Sequence, residues 1–341
     1  MNRKPERFEA GDARLYRIPL DLFPGLTGYA HLAVGSGFAV LIDVGSGFGE
    51  SNEQLEAGMN AVAASFGEST WSGLTHVLIS HGHIDHYGGL SFVRRLTTAP
   101  VGIHEFDRGV LTDYERRLEA MAVRLRTFLT GAGVAQDELS NLMDLYLFTK
   151  QLFQAQEVDF VVRKEDSRLG PLELLHVPGH CPGQLVARLG DLLLTSDHVL
   201  PDVTPHMAPR ALARHTGLAA YLGSLDRLEL WGGDARLGLG GHGPPILDVA
   251  GRIEEIRAHH EARLGSVLGA LSESASIADV TNRLFPSAGG YHRLLALEEV
   301  GAHVEFLSDR GWVRCLTSGD RNGVQLYGAV PGGRPVALRT V

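Results

Sequence analysis

Apolar and polar positions along the chain follow two different rhythms. From residue 14 to residue 45, apolar residues come in short runs broken by turns. Leu15-Tyr16-Arg17-Ile18 predicts a strand. The turn 24-PGLTG-28 leads into 29-YAHLAVGSGFAVLIDVGSG-47, where Gly35-Ser36-Gly37 predicts a hairpin between two apolar strands. The second of these, Phe38 to Asp43, ends in Val44-Gly45-Ser46-Gly47. Residues 50–66 carry Leu55, Met59, Val62 and Phe66 at helical spacing. Val77-Leu78-Ile79 predicts the next strand, residues 88–97 a short helix, and 100-PVGIHE-105 a further strand. Strands interleaved with helices in this way predict a layered α/β protein.

The rhythm changes after residue 105. No strand signal occurs over 106–156, a span that suits an insertion with helices of its own. Within 113–131, Leu118, Met121, Ala122, Leu125, Phe128 and Leu129 share one face. A second helix from near Ala135 carries Leu139, Leu142, Met143, Leu145, Tyr146, Leu147, Phe148, Leu152 and Phe153. That is more apolar surface than a solvated helix needs. Core packing or a dimer seam is the first expectation. A lid carrying Met121, Leu125, Phe128, Met143 and Phe148 is the second.

Strands return at 158–163, 172–177, 185–189 and 192–200. A helix is expected near 217–229, a strand at the start of 237–246, and a long helix from Asp248 to about Leu271. The tail then predicts a short helix opening at Ile277, a longer one over 291–311, and two strands around the turn Gly319-Asp320-Arg321-Asn322-Gly323. Three helices followed by a hairpin form a winged-helix pattern. The expected division is therefore a catalytic domain over 1–250, with a helical insertion at about 106–156, and a linker helix plus winged-helix-like domain over 251–341.

Composition narrows the class. The chain has 341 residues, 44% hydrophobic and 21% charged, as in an ordinary soluble globular protein. Its formal net charge of −9 disfavours a surface that tracks nucleic-acid phosphates. The two cysteines, Cys181 and Cys315, lie far apart, which argues against both a disulfide framework and a thiolate zinc site. The opening MNRKPERFEAGDARLYRI has no apolar core of a secretory signal, and no run has the length of a membrane span. Cytoplasm is the expected compartment.

The chemistry is concentrated in 76-HVLISHGHIDHYGGL-90. An apolar strand ends, and His81, His83, Asp85 and His86 follow within six positions, then Gly88 and Gly89. Other histidines and aspartates also follow apolar strands in loops rich in Gly or Pro: Asp43 in IDVGSG, His180 in PGHCPG, Asp197 in TSDH and His242 in GGHGPP. Strand ends in a layered α/β protein line one edge, so these loops can converge. Imidazole and carboxylate suit Zn²⁺, Fe or Mn. One short loop can aim His81 and His83 at one ion, and Asp85 and His86 at its neighbour. Two ions about 3.5–4 Å apart would hold and deprotonate a water between them.

The set 81-HGHIDH-86, His180 in PGH, Asp197 in SD and His242 in GHG, in that order, resembles the metallo-β-lactamase-fold hydrolases over about residues 14–250. The tail further resembles the LACTB-two-like branch. The resemblance implies an αβ/βα four-layer sandwich with two divalent metal ions, Zn²⁺ first and Fe or Mn as alternatives, at one edge of two sheets. It implies one ion on His81, His83 and His180, a second on Asp85, His86 and His242, and Asp197 bridging. Asp43 would support the site from behind, and Asp85 would orient the attacking water and handle its proton. His206, in 201-PDVTPHMAPR-210, is a candidate for substrate contact, and Cys181 is expected to be a packed residue.

Family resemblance does not choose the substrate. The acidic charge and the apolar insertion favour a small molecule with a thioester or carboxylic ester bond and an apolar acyl group. An endoribonuclease or phosphodiesterase, drawing on Arg94, Arg95, Arg163, Lys164, Arg210 and Arg214, is the alternative, followed by a lactonase. A non-enzymatic reading makes the tail a nucleic-acid-binding module on a relict hydrolase. The complete ligand set argues against it, as do Glu298, Glu299 and Glu305 on the last helix. A homodimer through the insertion or the tail is also expected.

Overall fold

The computed structural model describes residues 4–68, 70–150, 153–163, 166–317 and 323–332. Leu152, Lys164 and turn residues Gly319 to Asn322 lie outside them. The chain divides into two compact units. The first comprises residues 1–114, 155–205 and 226–252, the second 115–154, 206–225 and 253–341.

The first unit contains two sheets. Strands β1 (Glu6–Ala10), β2 (Ala13–Phe23), β3 (Leu26–Gly35) and β4 (Phe38–Ile42) run as an antiparallel ribbon. Gly37, at φ 77°, makes the tight turn between β3 and β4 at no steric cost. Helix α1 (Ser51–Phe66) follows, and Gly67 at φ 67° closes it by donating to the Ala63 carbonyl. Then come β5 (His76–Leu78), the single turns α2 (Ile84–Tyr87) and α3 (Leu90–Val93), β6 (Val101–His104), α4 (Glu105–Thr112), α5 (Tyr114–Gly131), α6 (Gln136–Lys150) and β7 (Phe160–Val162). Strands β4 to β7 pair in parallel, so the first sheet has seven strands in sequence order.

The second sheet contains β8 (Asp166–Leu169), β9 (Leu172–His176), β10 (Leu185–Leu189), β11 (Leu192–Ser196) and β12 (Leu237–Gly240), in the order β12-β11-β10-β9-β8. Only β11 and β12 are parallel in it; α7 (Leu218–Gly232) lies between them in sequence. The sheets pack face to face. Leu15, Ala33, Val40, Ile42 and Leu78 of the first join Leu174, Leu185, Ala187, Leu194 and Leu239 of the second in one buried cluster. Alternation along each strand selects these residues, because successive side chains point to opposite faces. On the outer face α1 lies against β2, where Gly58 leaves room for Ile18; a methyl group at Gly58 would sit 2.3 Å from Ile18 Cγ2.

The second unit is mainly helical. The long α8 (Val249–Ala270) enters it at Ile253, followed by α9 (Ile277–Leu284) and α10 (Gly290–Asp309). Its last described elements are the antiparallel pair β13 (Val313–Cys315) and β14 (Tyr327–Ala329), and Ala275 forms a further bridge with Tyr327. Ser276 and Asp279 cap α9 reciprocally, each side chain binding the other residue's backbone N–H. Helices α5 and α6 of the insertion belong to this unit. α10 packs on α6, Arg293 pairs with Glu138 at 2.8 Å, and the Ala278 N–H donates to the Ala132 carbonyl. Gly301 of α10 admits the Phe128 ring, which a methyl group would meet at 2.8 Å.

The insertion helices therefore share a core with the tail, across the sequence boundary expected near residue 250. Leu125, Leu129, Leu139, Leu142 and Met143 are buried in that unit, whereas Phe148 is 68% exposed.

Candidate metal centre

The C-terminal ends of parallel β4 and β5 in one sheet, and of parallel β11 and β12 in the other, carry the chemistry. Asp43 follows β4 directly and adopts φ 61°, a left-handed conformation that Asp tolerates better than most residues. Its N–H donates to the Leu78 carbonyl at 2.9 Å. Its carboxylate accepts from the Ser80 N–H at 2.7 Å and the Ser80 hydroxyl at 2.8 Å, and from His86 Nδ1 at 2.8 Å. The loop of 81-HGHIDH-86 is thus tied to the end of the neighbouring strand.

The two glycines after the motif have a steric reason. A methyl group at Gly88 would lie 2.0 Å from the Ser46 carbonyl oxygen, and one at Gly89 2.3 Å from that of Val44. The motif's helical turn packs directly on the backbone after Asp43, and Val44 N–H donates to the His86 carbonyl.

Each of three imidazoles has one nitrogen committed away from the centre. His86 Nδ1 is held by Asp43. His242 Nδ1 donates to the Thr27 carbonyl at 2.7 Å, and His81 Nδ1 lies 3.1 Å from the Ser80 hydroxyl. Ser80 Oγ also accepts from Ser196 Oγ at 2.7 Å and donates to Asp43, so it can only accept from His81. The remaining Nε2 atoms turn inward. His86 Nε2 is 3.5 Å from Asp197 Oδ1 and 3.6 Å from Asp85 Oδ2. His242 Nε2 is 3.3 Å from Asp85 Oδ2 and 3.4 Å from Asp197 Oδ2, and His180 Nε2 is 3.8 Å from Asp197 Oδ2. The rings of His81 and His83 are 4.7 Å apart, and those of His83 and His180 4.5 Å.

Two groups result, His81, His83 and His180, and Asp85, His86, Asp197 and His242, each with ligand atoms within 4.8 Å of one another. Asp197 reaches toward both. The donor atoms fit metal ions. His81 Nε2, His86 Nε2 and Asp197 Oδ1 are buried with no hydrogen-bond partner, an expensive state for polar atoms that bound cations would relieve. The backbone makes room as well, since a methyl group at Gly241 would lie 2.4 Å from Asp197 Oδ1 and 2.8 Å from His86 Cε1.

The electrostatics point the same way. Burial opposes charge on His86, yet Asp197, Asp43 and Asp85 around it raise its pKa well above the ordinary value. Burial likewise opposes charge on His242, but Asp197 and Asp85 raise it to about 10. Asp197 is held well below the usual carboxylate range despite its burial, chiefly by His86 and His242. Burial, then the neighbouring His86 and His83, keep His81 neutral. Without cations the cluster attracts protons, so positive charge is what it lacks.

The seven residues expected as ligands are thus brought together, with Asp43 directly behind them. His206 is not among them; it pairs with Glu298 at 2.8 Å within the second unit. Cys181 is buried, and its thiol donates to Asp107 at 3.2 Å. Burial, then Asp107, raise its pKa well above normal, as suits a packed thiol and not a nucleophile.

Asp107 has no counterpart in the sequence expectations. Its carboxylate also accepts from the Gly82 N–H at 2.8 Å, joining the 81–86 loop to the loop of His180. Arg17 was equally hidden. Its buried guanidinium lies 3.3 Å over the Tyr29 ring and donates to the Gly243 carbonyl, bracing the loop of His242. Neither sits in a motif; each acts through a contact more than twenty residues away in sequence.

The sequence pattern of the metallo-beta-lactamase superfamily matches residues 24–243, which include all seven of these residues. The chain belongs to that superfamily. Its structure is similar to that of TTHA1429, a metallo-beta-lactamase family protein from Thermus thermophilus, with a TM-score of 0.73 and 28% identity over 93% of this chain and 98% of that one. A beta-lactamase domain protein from Burkholderia ambifaria shares the fold at a TM-score of 0.72 and 23% identity, over 95% and 94% of the two chains. The DIM-1 metallo-beta-lactamase is similar at a TM-score of 0.50 and 12% identity, over 75% of this chain and 96% of its own. No protein of curated function matches the sequence. Superfamily membership together with the two His/Asp groups makes the protein a metal-dependent hydrolase. Among the described residues, no helix is long and apolar enough to cross a membrane.

Proposed function

We propose that the centre holds two divalent ions, one on His81, His83 and His180 and one on Asp85, His86 and His242, with Asp197 shared between them. We further propose that the enzyme cleaves a thioester or carboxylic ester bearing an apolar acyl group. The observation that carries this reading is the convergence of seven ligand side chains into two adjacent groups about Asp197. Zinc is the first choice for a set rich in imidazole, with iron and manganese using the same donors. Ions bound there would lower the pKa of a bound water to about 7 and draw charge from a substrate oxygen. The chain's own contribution is orientation. Asp43, Thr27 and Ser80 fix which nitrogen His86, His242 and His81 present. Asp85, with one oxygen 3.3 Å from His242 Nε2, is the carboxylate placed to orient a water and accept its proton.

The apolar acyl group is supported by the edge beside His242. Phe23 and Phe48 lie with ring centroids 5.7 Å apart, Phe48 is 40% exposed and Leu26 38%. These residues flank Thr27, whose carbonyl holds His242, and the loop after Asp43. Two of the arginines that would favour a nucleic acid have other partners. Arg94 pairs with Asp159 at 2.9 Å, and Arg210 with Glu305 at 2.8 Å and Asp309 at 2.6 Å.

The tail reads as the winged-helix module of the LACTB-two-like branch. The order α8, α9, α10, β13, β14, with Ala275 pairing to Tyr327, supports that reading. Glu298 and Glu305 are engaged by His206 and Arg210, which suits a structural role better than a nucleic-acid-binding one.

The test is free-thiol release from a chain-length series of acyl-CoAs by metal-loaded protein, with Asp85→Asn as control. Turnover that rises with acyl length, vanishes in Asp85→Asn and loses its length dependence in Phe48→Ala is expected. A flat response equal to that of Asp85→Asn would eliminate the thioester and move carboxylic esters, lactones and single-stranded RNA forward.

A further inference from the structure

The second unit contains another group of metal-ligating side chains, which the hydrolytic centre does not use. In 299-EVGAH-303, Glu299 and His303 stand one helical turn apart on α10, and His260 faces them from α8. Their ligand atoms lie within 4.8 Å of one another. His260 and His303 are completely buried.

Protonation at this group is constrained. His303 Nδ1 is 2.7 Å from the Glu299 carbonyl oxygen, which can only accept. Nδ1 therefore carries the proton, and Nε2 presents a lone pair. That lone pair faces His260 Nδ1 at 3.3 Å. If the His260 proton is on Nδ1, it can be donated to His303, but His260 Nε2 is then a bare acceptor, buried with no partner. If the proton is on Nε2, that N–H is buried without an acceptor and two lone pairs face each other. Neither tautomer satisfies both nitrogens of His260. Burial lowers the pKa of both imidazoles, so a proton from solvent does not relieve the conflict near pH 7.

We propose that His260, Glu299 and His303 bind one further dication of the zinc class, linking α8 to α10 inside the second unit. Two facing lone pairs are what such an ion requires. Nitrogens bound at 2.0–2.1 Å in a tetrahedral shell lie roughly 3.3–3.4 Å apart, and the observed separation is 3.3 Å. The backbone carbonyl behind His303 is the usual orienting partner of a metal-ligating imidazole. Glu299 is anchored too, one carboxylate oxygen accepting from the Met207 N–H at 3.1 Å. Two imidazoles and one carboxylate favour zinc or its transition-metal neighbours over calcium and magnesium. The role is structural: the ion would bind the folded unit and stabilise it.

The competing account is a plain hydrogen bond between two buried histidines, and zinc content distinguishes the two. The full-length chain with His81→Ala, His83→Ala, Asp85→Ala and His86→Ala is stripped with chelator, equilibrated with Zn²⁺, desalted and analysed for metal. It should retain one zinc per chain and melt at a higher temperature with zinc than without. Adding Glu299→Gln, which keeps an acceptor for the Met207 N–H, should remove both effects. No retained zinc in the four-alanine chain would overturn the proposal, as would zinc that survives Glu299→Gln. Should the four-alanine chain fail to fold, Glu299→Gln in the otherwise wild-type protein decides. A loss of one zinc equivalent supports the site, and unchanged content overturns it.

Discussion

Replacing Asp43 by Asn changes almost nothing in shape and should nevertheless dismantle one metal position. Asn tolerates the φ of 61° at this site, and its amide oxygen can still accept from the Ser80 N–H. The amide nitrogen must then face the Ser80 hydroxyl and His86 Nδ1, where the carboxylate now accepts at 2.8 Å from each. An amide N–H cannot accept, so His86 moves its proton to Nε2 and offers Nδ1 as acceptor. That places a proton on the nitrogen aimed at Asp85 and Asp197. Loss of such an orienting partner typically costs 10–100-fold in metal affinity, or about 1.4–2.8 kcal/mol. Because His86 belongs to only one of the two groups, the effect should fall on one ion. Competition with a chromogenic chelator should show one site at wild-type affinity and one weakened by that factor. Metal-free Asp43→Asn should be less stable than metal-free wild type, because His86 then loses one of the three carboxylates that support its charge. Two sites of unchanged affinity in Asp43→Asn would refute the tautomer argument.

Gly241→Ala should give a folded protein that fails to load metal, because the added methyl would lie 2.4 Å from Asp197 Oδ1; metal analysis beside a thermal melt checks this. Asp159 tests the electrostatics away from the centre. The Val101 N–H, then Arg94, hold its carboxyl below the usual range, so its stabilisation is present above the unfolded-state pKa and is lost as pH falls through the lower folded value. Asp159→Asn should flatten that acid-side slope in urea titrations between about pH 4 and pH 2, and an unchanged slope would refute the assignment. Iodoacetamide should label exposed Cys315 in the native protein and spare Cys181, whose burial and contact with Asp107 suppress the thiolate. Rapid native labelling of Cys181, read by peptide mass, would contradict that environment.

The centre was unusually legible because metal chemistry demands particular side chains at strand ends. His81, His83, Asp85 and His86 announce themselves by spacing, while Asp43, His180, Asp197 and His242 do so by residue type at the end of an apolar strand. The supports were not legible. Asp107 and Arg17 act through contacts with loops remote in sequence, and neither residue type nor local pattern marks such a contact. Strand β1 was hidden because it is an edge strand with three of its five residues exposed, so it lacks an apolar run. The apolar faces of α5 and α6 declared that they are buried, but amphipathicity names no partner. Their partner is the tail, through the Ala132–Ala278 hydrogen bond and the Glu138–Arg293 pair. Leu125 and Met143 are buried there, as the core-packing expectation has it and not the lid.

Two ions are proposed to sit side by side on the seven converging residues, sharing Asp197. Anomalous diffraction from crystals of the zinc-loaded protein, with data on both sides of the zinc absorption edge, tests this without knowledge of the substrate. Two peaks about 3.5–4 Å apart, one among His81, His83 and His180 and one among Asp85, His86 and His242, are the predicted result. A single peak at the centre, or peaks too far apart for one carboxylate to touch both, would contradict it.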